Sequence, residues 1–474
     1  MKGQLIRTTV ISMFGLMAAG GIVFWFTGTS AYPISPDLPG RDNKPASLAA
    51  ASSGEVKIGE YFLRFSAEPL PDKYSWPRFR GTQYDNIAHE SIALPDSWET
   101  SAPKIIWNAE LGEGHSGPAV HQGRVYILDY DEQRKADTLR CFSLATGKEL
   151  WRRWYNIPLK RNHGISRTIP AVTDSCVVTI GPSGQVMCVD ALNGDFLWGI
   201  DLERDFDAEI PQWYTAQCPV IDGDEVILAP AGTVLLMGVD CATGRINWKT
   251  PNPGNITMSH SSIMPANLSG KKMYVYAGIG GTAGVSAEKA DRGKLLWITR
   301  EWDNSVIAPS PVVFPDGRIF LTAGYGGGSM MIKVTHDAGV WNVSTLFRHR
   351  PKEGLACEQQ TPLLANGLLY GVMPKDGGEY KNQFVCANPA TGKIIWSSGK
   401  TVTFGLGPYI YADDKFFLLS DTGTLSMAKA DKTGFRVTGQ FTAIPKARDA
   451  WAPMALAGNR LLLRDSTRMF CLEF

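Results

Sequence analysis

A beat recurs along this chain. "SGPAV" at Pro118 is followed by "TIPAV" at Pro170, "QCPVI" at Pro219 and "IMPAN" at Pro265. It continues with "PSPVV" at Pro311, "QTPLL" at Pro362, "LGPYI" at Pro408 and "WAPMA" at Pro453. Pro118 to Pro453 is 335 residues in seven steps, so the period is about 48 residues, in the range of a propeller blade. Each opening leads through a polar turn into an apolar run, as in "HQGRVYILDY" and "PDGRIFLTAG". The runs are nearly continuous in apolar residues rather than alternating, as expected of strands covered on both faces. Blades stacked face to face would cover them so.

A second beat lies inside the period. A turn ending in Gly is followed four residues later by Trp, at Gly147 and Trp151, Gly194 and Trp198, and Gly244 and Trp248. Gly293 and Trp297 repeat it, as do Gly392 and Trp396. The Gly supplies the positive φ that ends a hairpin turn. The Trp then falls on the outer strand, where its area seals one blade against the next. Unrelated buried tryptophans would not share an offset. Two units depart from it, "HDAGVWNV" around Gly339 and Trp341 and "DKTGFRV" around Gly434. If the Trp248 ring is buried between blades, Trp248→Ala should cost about 3–5 kcal/mol.

The eighth unit runs from Pro453 to Phe474 and has room for about three strands of ordinary length. The segment "PKIIWNAEL", with Trp107, looks like an outer strand with no unit before it. Ile105 to Leu111 is therefore expected to complete the last blade and leave no open edge at the joint. The expected fold is all-β, an eight-bladed β-propeller of four-stranded antiparallel blades over residues 74–474.

Before the propeller the composition changes. Lys2 and Arg7 precede an uncharged stretch, Thr8 to Gly28. It is longer than a signal-peptide core of about 7–15 residues and near the roughly 20 that cross a bilayer. Residues 1–31 read as a signal anchor, or as a signal peptide cleaved near Ala31. Either places the rest outside the cytoplasm, on the periplasmic side of the inner membrane. Residues 32–73 read as linker and lead-in, because "PISPDLP" and "ASLAAASSG" bury too little apolar surface to offset ordering. The formal net charge of +1 gives no electrostatic reason to expect a nucleic-acid partner.

Cys141, Cys188 and Cys386 lie six residues before their turn glycines, and Cys471 takes the matching place in the last unit. Equivalent places on different blades are too far apart for a disulfide, so the cysteines read as small buried hydrophobes. The seven histidines show no metal-ligand spacing, so no metal site is expected.

The combination of "WPRFRG" (Trp76 to Gly81), "ATGKELW", "WYTAQCPVIDGDEVI", "SHSSIMPA" and "AGYGGGSMMIKV" resembles the pyrroloquinoline-quinone-like β-propeller repeat proteins, from about Tyr74 onward. That resemblance implies one of two functions. The family includes quinone-dependent alcohol dehydrogenases and the non-catalytic propeller of the outer-membrane barrel assembly machinery. Exported members opening with Trp-Pro-x-Phe-Arg-Gly look similar. The dehydrogenase branch implies pyrroloquinoline quinone, Ca²⁺ held by oxygen ligands and a carboxylate base. In the methanol-dehydrogenase type it also implies a disulfide between adjacent cysteines. This sequence has neither a Cys-Cys pair nor Cys-x-x-Cys-His. The expectation is therefore a non-catalytic, membrane-tethered scaffold without cofactor. It would contact other envelope proteins or a small molecule, with the quinone and Ca²⁺ kept for the alternative. A hydrolase built on "HSS" at His260 to Ser262 lacks a nucleophile turn and a triad order.

If a ligand binds, topology says where. Residues just before each innermost strand ring one mouth of the channel. His115, Arg167, Trp213, Gln217 and His260 stand there from the first four units, and Asn304, Glu358, Gln359, Asp449 and Trp451 from the later ones. Arg167 suits an anion, Glu358 and Asp449 a cation or a proton, and Trp213 and Trp451 a planar ring.

Overall fold

A computed structural model describes residues 55–90, 92–99 and 102–474. The stretch read as anchor or signal, and most of the tether, lie outside the described residues. Among the described residues no helix is long and apolar enough to cross a membrane.

The strands form eight antiparallel sheets in which neighbours in sequence are neighbours in space. Six are built wholly from consecutive strands, and the first blade has four consecutive strands and one more. The last holds Ala455–Ala457, Arg460–Arg464 and Arg468–Glu473, and its outer place is taken by Lys104–Glu110. There Trp107 lies opposite Cys471 and Asn108 opposite Phe470. The ring is therefore closed by the early strand, as the strand tally required. The first blade carries a fifth strand, Tyr61–Arg64, which pairs with Glu149–Asn156. It lies within the stretch read as lead-in and was not foreseen, because four residues carry little pattern.

The Gly–Trp beat is a docking contact between blades. A Cβ on Gly194 would lie 2.7 Å from Trp151 of the preceding blade, and one on Gly244 would lie 2.6 Å from Trp198. Trp107 covers Gly147 in the same way, so the contact crosses the closure. The indoles of Trp107 and Trp198 each donate to a carbonyl of the next blade, Leu144 and Cys241, at 2.8 Å. Trp248 covers Gly293 and stacks on Tyr274 but stays half-buried. Its removal is therefore expected to cost less than that of Trp151, which is 1% exposed.

Three sequence readings change. Gly339 is the tip of a long hairpin, Gly328–Asp337 with Val340–His349, and nothing rests on it. Trp341 there stacks on His336, and Phe347 takes the docking role against Gly392. Pro265 sits one residue inside the strand Met264–Leu268, so in that unit Ser262, not Met264, matches the residue before the proline in its neighbours.

The "WPRFRG" segment is a plug. Trp76 pairs with Val120 of the first blade, and Val172 of the second donates to the Pro77 carbonyl. Arg78 donates to Ile221 of the third blade. Arg80 then crosses to the far side, donating to Thr361 at 3.0 Å and Pro362 at 3.2 Å. Asn86 bonds Tyr409, and Ala88 bonds Tyr411, both in the seventh blade. All these partners lie at or beside innermost strands, so the segment floors the channel at the end opposite the predicted mouth.

Candidate functional site

Above the plug lies a chamber of about 280 Å³. Its floor is Phe79, Arg80 and Asn86, and its walls are the loops that precede the innermost strands. Those loops are tied to one another around the ring. Ile169 N donates to Cys218 Sγ, Cys218 N to Ser262 Oγ, Ser262 N to Ser310 Oγ, and Ser310 N to Thr361 Oγ1, over 2.8–3.2 Å. One small hydroxyl or thiol per blade, placed just before the strand opens, satisfies a buried amide of the preceding blade. Ser262 Oγ thus has a structural task as the acceptor for Cys218 N.

Of the ten mouth residues expected from sequence, His115, Arg167, Trp213, His260, Glu358, Gln359 and Trp451 line the chamber. The other three do not. Gln217 turns its amide to the Ala229 carbonyl at 2.8 Å and is fully buried. Asn304 lies against Gly327, and Asp449 is exposed at a left-handed turn (φ 49°). Sequence reasoning missed Tyr325 and Lys375, which reach the chamber from loops that follow second strands, as well as the plug's Phe79, Arg80 and Asn86. The Gly-rich "GYGGG" around Tyr325 was the one available signal.

Two aromatic pairs frame the walls. His115 stacks on Trp451 at 5.1 Å, and Trp213 stacks on Tyr325 at 5.3 Å. Burial, with the Arg167 charge added, pushes the pKa of both His115 and His260 down to about 3, so both rings are neutral. Arg167 is pushed down to about 10 by burial. Opposite, burial raises the Glu358 carboxyl, and the Lys375 ammonium opposes that shift. Asp421 is likewise raised by burial while accepting from Trp451 Nε1 at 2.8 Å and Leu406 N at 2.7 Å.

Comparison with known families is decided over the middle of the ring. The family model described as outer membrane protein assembly factor BamB matches residues 135–398, more than half of the chain. The chain belongs to this family. The BamB-family match runs from the third strand of the first blade to the outer strand of the sixth. Solved structures share the fold. BamB from Moraxella catarrhalis is 14% identical, with 79% of this chain and 100% of that one covered at a TM-score of 0.53. A europium-containing methanol dehydrogenase is 12% identical, with 85% and 98% covered at 0.55. Quinohemoprotein alcohol dehydrogenase from Comamonas testosteroni is 11% identical, with 84% and 80% covered at 0.57. At such identities the likeness is one of fold. No curated protein matches the sequence.

The dehydrogenase likeness makes a Ca²⁺-held quinone worth testing against the residues. Ca²⁺ takes about 6–8 oxygen ligands, several of them carboxylates. Glu358 is the one carboxylate among the chamber's lining residues, and Lys375 stands beside it. Among the described residues no group of three His, Cys, Asp or Glu side chains is arranged to hold a metal. The chamber's residues do not fit that cofactor pair.

Proposed function

We propose that this chain is an exported, membrane-tethered propeller that works by binding within the cell envelope, to protein partners or a small ligand, and not by catalysis. The observation that carries this reading is the plugged channel. It leaves a chamber whose walls offer stacked rings and hydrogen-bonding groups but no carboxylate set for a metal. Membership of a family described as an outer membrane assembly factor supports the envelope. The uncharged stretch Thr8 to Gly28 behind Lys2 and Arg7 supports the tether. In this reading residues 1–31 anchor or export the chain, 32–73 lead in, and 74–474 form the binding body.

Membrane fractionation of the tagged full chain, then detergent extraction and co-purification with mass spectrometry, tests this. The chain should sediment with membranes, be cut by protease from the periplasmic side, and carry envelope proteins with it. Recovery in the cytosol would sink the proposal. So would a bound-quinone absorbance band with dye-linked alcohol oxidation after adding pyrroloquinoline quinone and Ca²⁺.

A further inference from the structure

The chamber holds hydrogen-bonding groups that the protein itself leaves unanswered. His115 is 8% exposed, and its Nε2 lies 3.0 Å from the His163 carbonyl. A carbonyl only accepts, so Nε2 carries the proton. Because the ring is neutral, Nδ1 is a lone pair, and it is buried without a partner. His260 is also 8% exposed, and both of its nitrogens are buried without partners. One of them must donate and the other accept.

Arg167 is unanswered in a different way. Its Nε donates to the Trp213 carbonyl at 2.6 Å, and its Nη2 to the carbonyls of Asn162, His163 and Gly164. Every acceptor is neutral, and none of these bonds uses Nη1. A buried guanidinium among neutral carbonyls retains a strong preference for an anion. Arg167 and His115 share the His163 carbonyl, and the His260 ring lies 6.0 Å from that of Trp213, whose carbonyl Arg167 holds, so the three groups stand in one part of the chamber. Water can satisfy a histidine nitrogen, but it does not balance a charge.

We infer that the chamber takes a small hydroxylated aromatic carboxylate. The carboxylate would face Arg167, a hydroxyl would donate to His115 Nδ1, and the ring would lie along the Trp213 and Trp451 walls. A volume of about 280 Å³ suits one ring with few substituents. This deepens the proposed function and rests on its reading of the chamber as a binding site.

Calorimetric titration of the detergent-extracted full chain with 4-hydroxybenzoate tests the inference. Methyl 4-hydroxybenzoate lacks the charge, and benzoate lacks the donor. The hydroxy acid should bind at least about tenfold more tightly than the ester, the scale of a charge-assisted hydrogen bond, and several-fold more tightly than benzoate. Arg167→Gln should abolish the preference for acid over ester. His115→Phe should weaken binding of the hydroxy acid several-fold and leave binding of benzoate unchanged, because only the hydroxyl loses its acceptor. A merely structural histidine would move the melting temperature alone.

Equal binding of acid and ester would overturn the anion class and keep the chamber as a site. Equal binding of benzoate and the hydroxy acid would overturn the donor assignment. Binding of none of the three would overturn the chamber as a ligand site and leave the protein-partner reading standing. Should Arg167→Gln fail to fold, the acid–ester comparison on the parent protein decides alone.

Discussion

The turn glycines show how much one atom decides. Gly194 has φ 76°, and a Cβ there would meet the Trp151 ring at 2.7 Å. Gly339 has φ 83° with nothing within reach of a Cβ. Gly339→Ala should therefore cost only the left-handed backbone penalty of about 1–2 kcal/mol. Gly194→Ala adds a displaced indole and should cost about 3 kcal/mol or more in a urea titration. Trp151→Ala should lie within the usual 3–5 kcal/mol, roughly, for a buried Trp, and Trp248→Ala below it. The buried histidines set a second residue-scale expectation. A pKa depressed to about 3 means that the folded His260 stays neutral while the unfolded chain takes up a proton near pH 6.5. Above pH 6.5 the ring is neutral in both states and adds no pH dependence, and stability is lost as the pH falls from there toward 3. His260→Phe should remove that loss, so the variant gains on the parent by about 1.4 kcal/mol per pH unit across the window. Parallel denaturation curves for the two proteins at pH 7 and pH 4 would read it.

Among the elements, the clasp strand was legible and the plug was not, and the reason is physical. Lys104–Glu110 announces itself because Trp107 repeats the outer-strand signature without a unit to own it. Pro, Gly and Trp carry fixed positional meaning in a repeat, so the period, the turns and the docking contacts follow from them. The plug has no such periodicity. Its bonds join Arg80 to residues 281 and 282 positions away, which become neighbours only after the ring exists. The same limit explains Tyr325 and Lys375, which reach the chamber from loops after second strands, where the repeat carries no fixed residue. Pro265 was misleading because a proline on an innermost strand needs only an amide on the unpaired side, and two residues along the strand the amide faces that side again. Arg80→Ala would take the guanidinium from the buried Pro362 carbonyl and leave Thr361 with the Tyr409 hydroxyl alone. It should destabilise the protein by about 2–4 kcal/mol by urea denaturation, without altering the far-ultraviolet spectrum.

For the whole molecule, closure changes the kind of stability expected. An open stack of repeats has terminal units that fray, whereas a ring whose last sheet is completed by an early strand has none. The plug then fastens the first three blades to the sixth and seventh. Tryptophan fluorescence and circular dichroism should therefore report one transition at the same urea concentration. Two separated midpoints would mean that groups of blades melt on their own. Closure also dictates a timetable. During synthesis Lys104–Glu110 leaves the ribosome long before Arg468–Glu473 exists to receive it. Until then the strand that carries Ile105, Ile106 and Trp107 has no edge to pair with, so closing the ring is expected to be a slow step of folding.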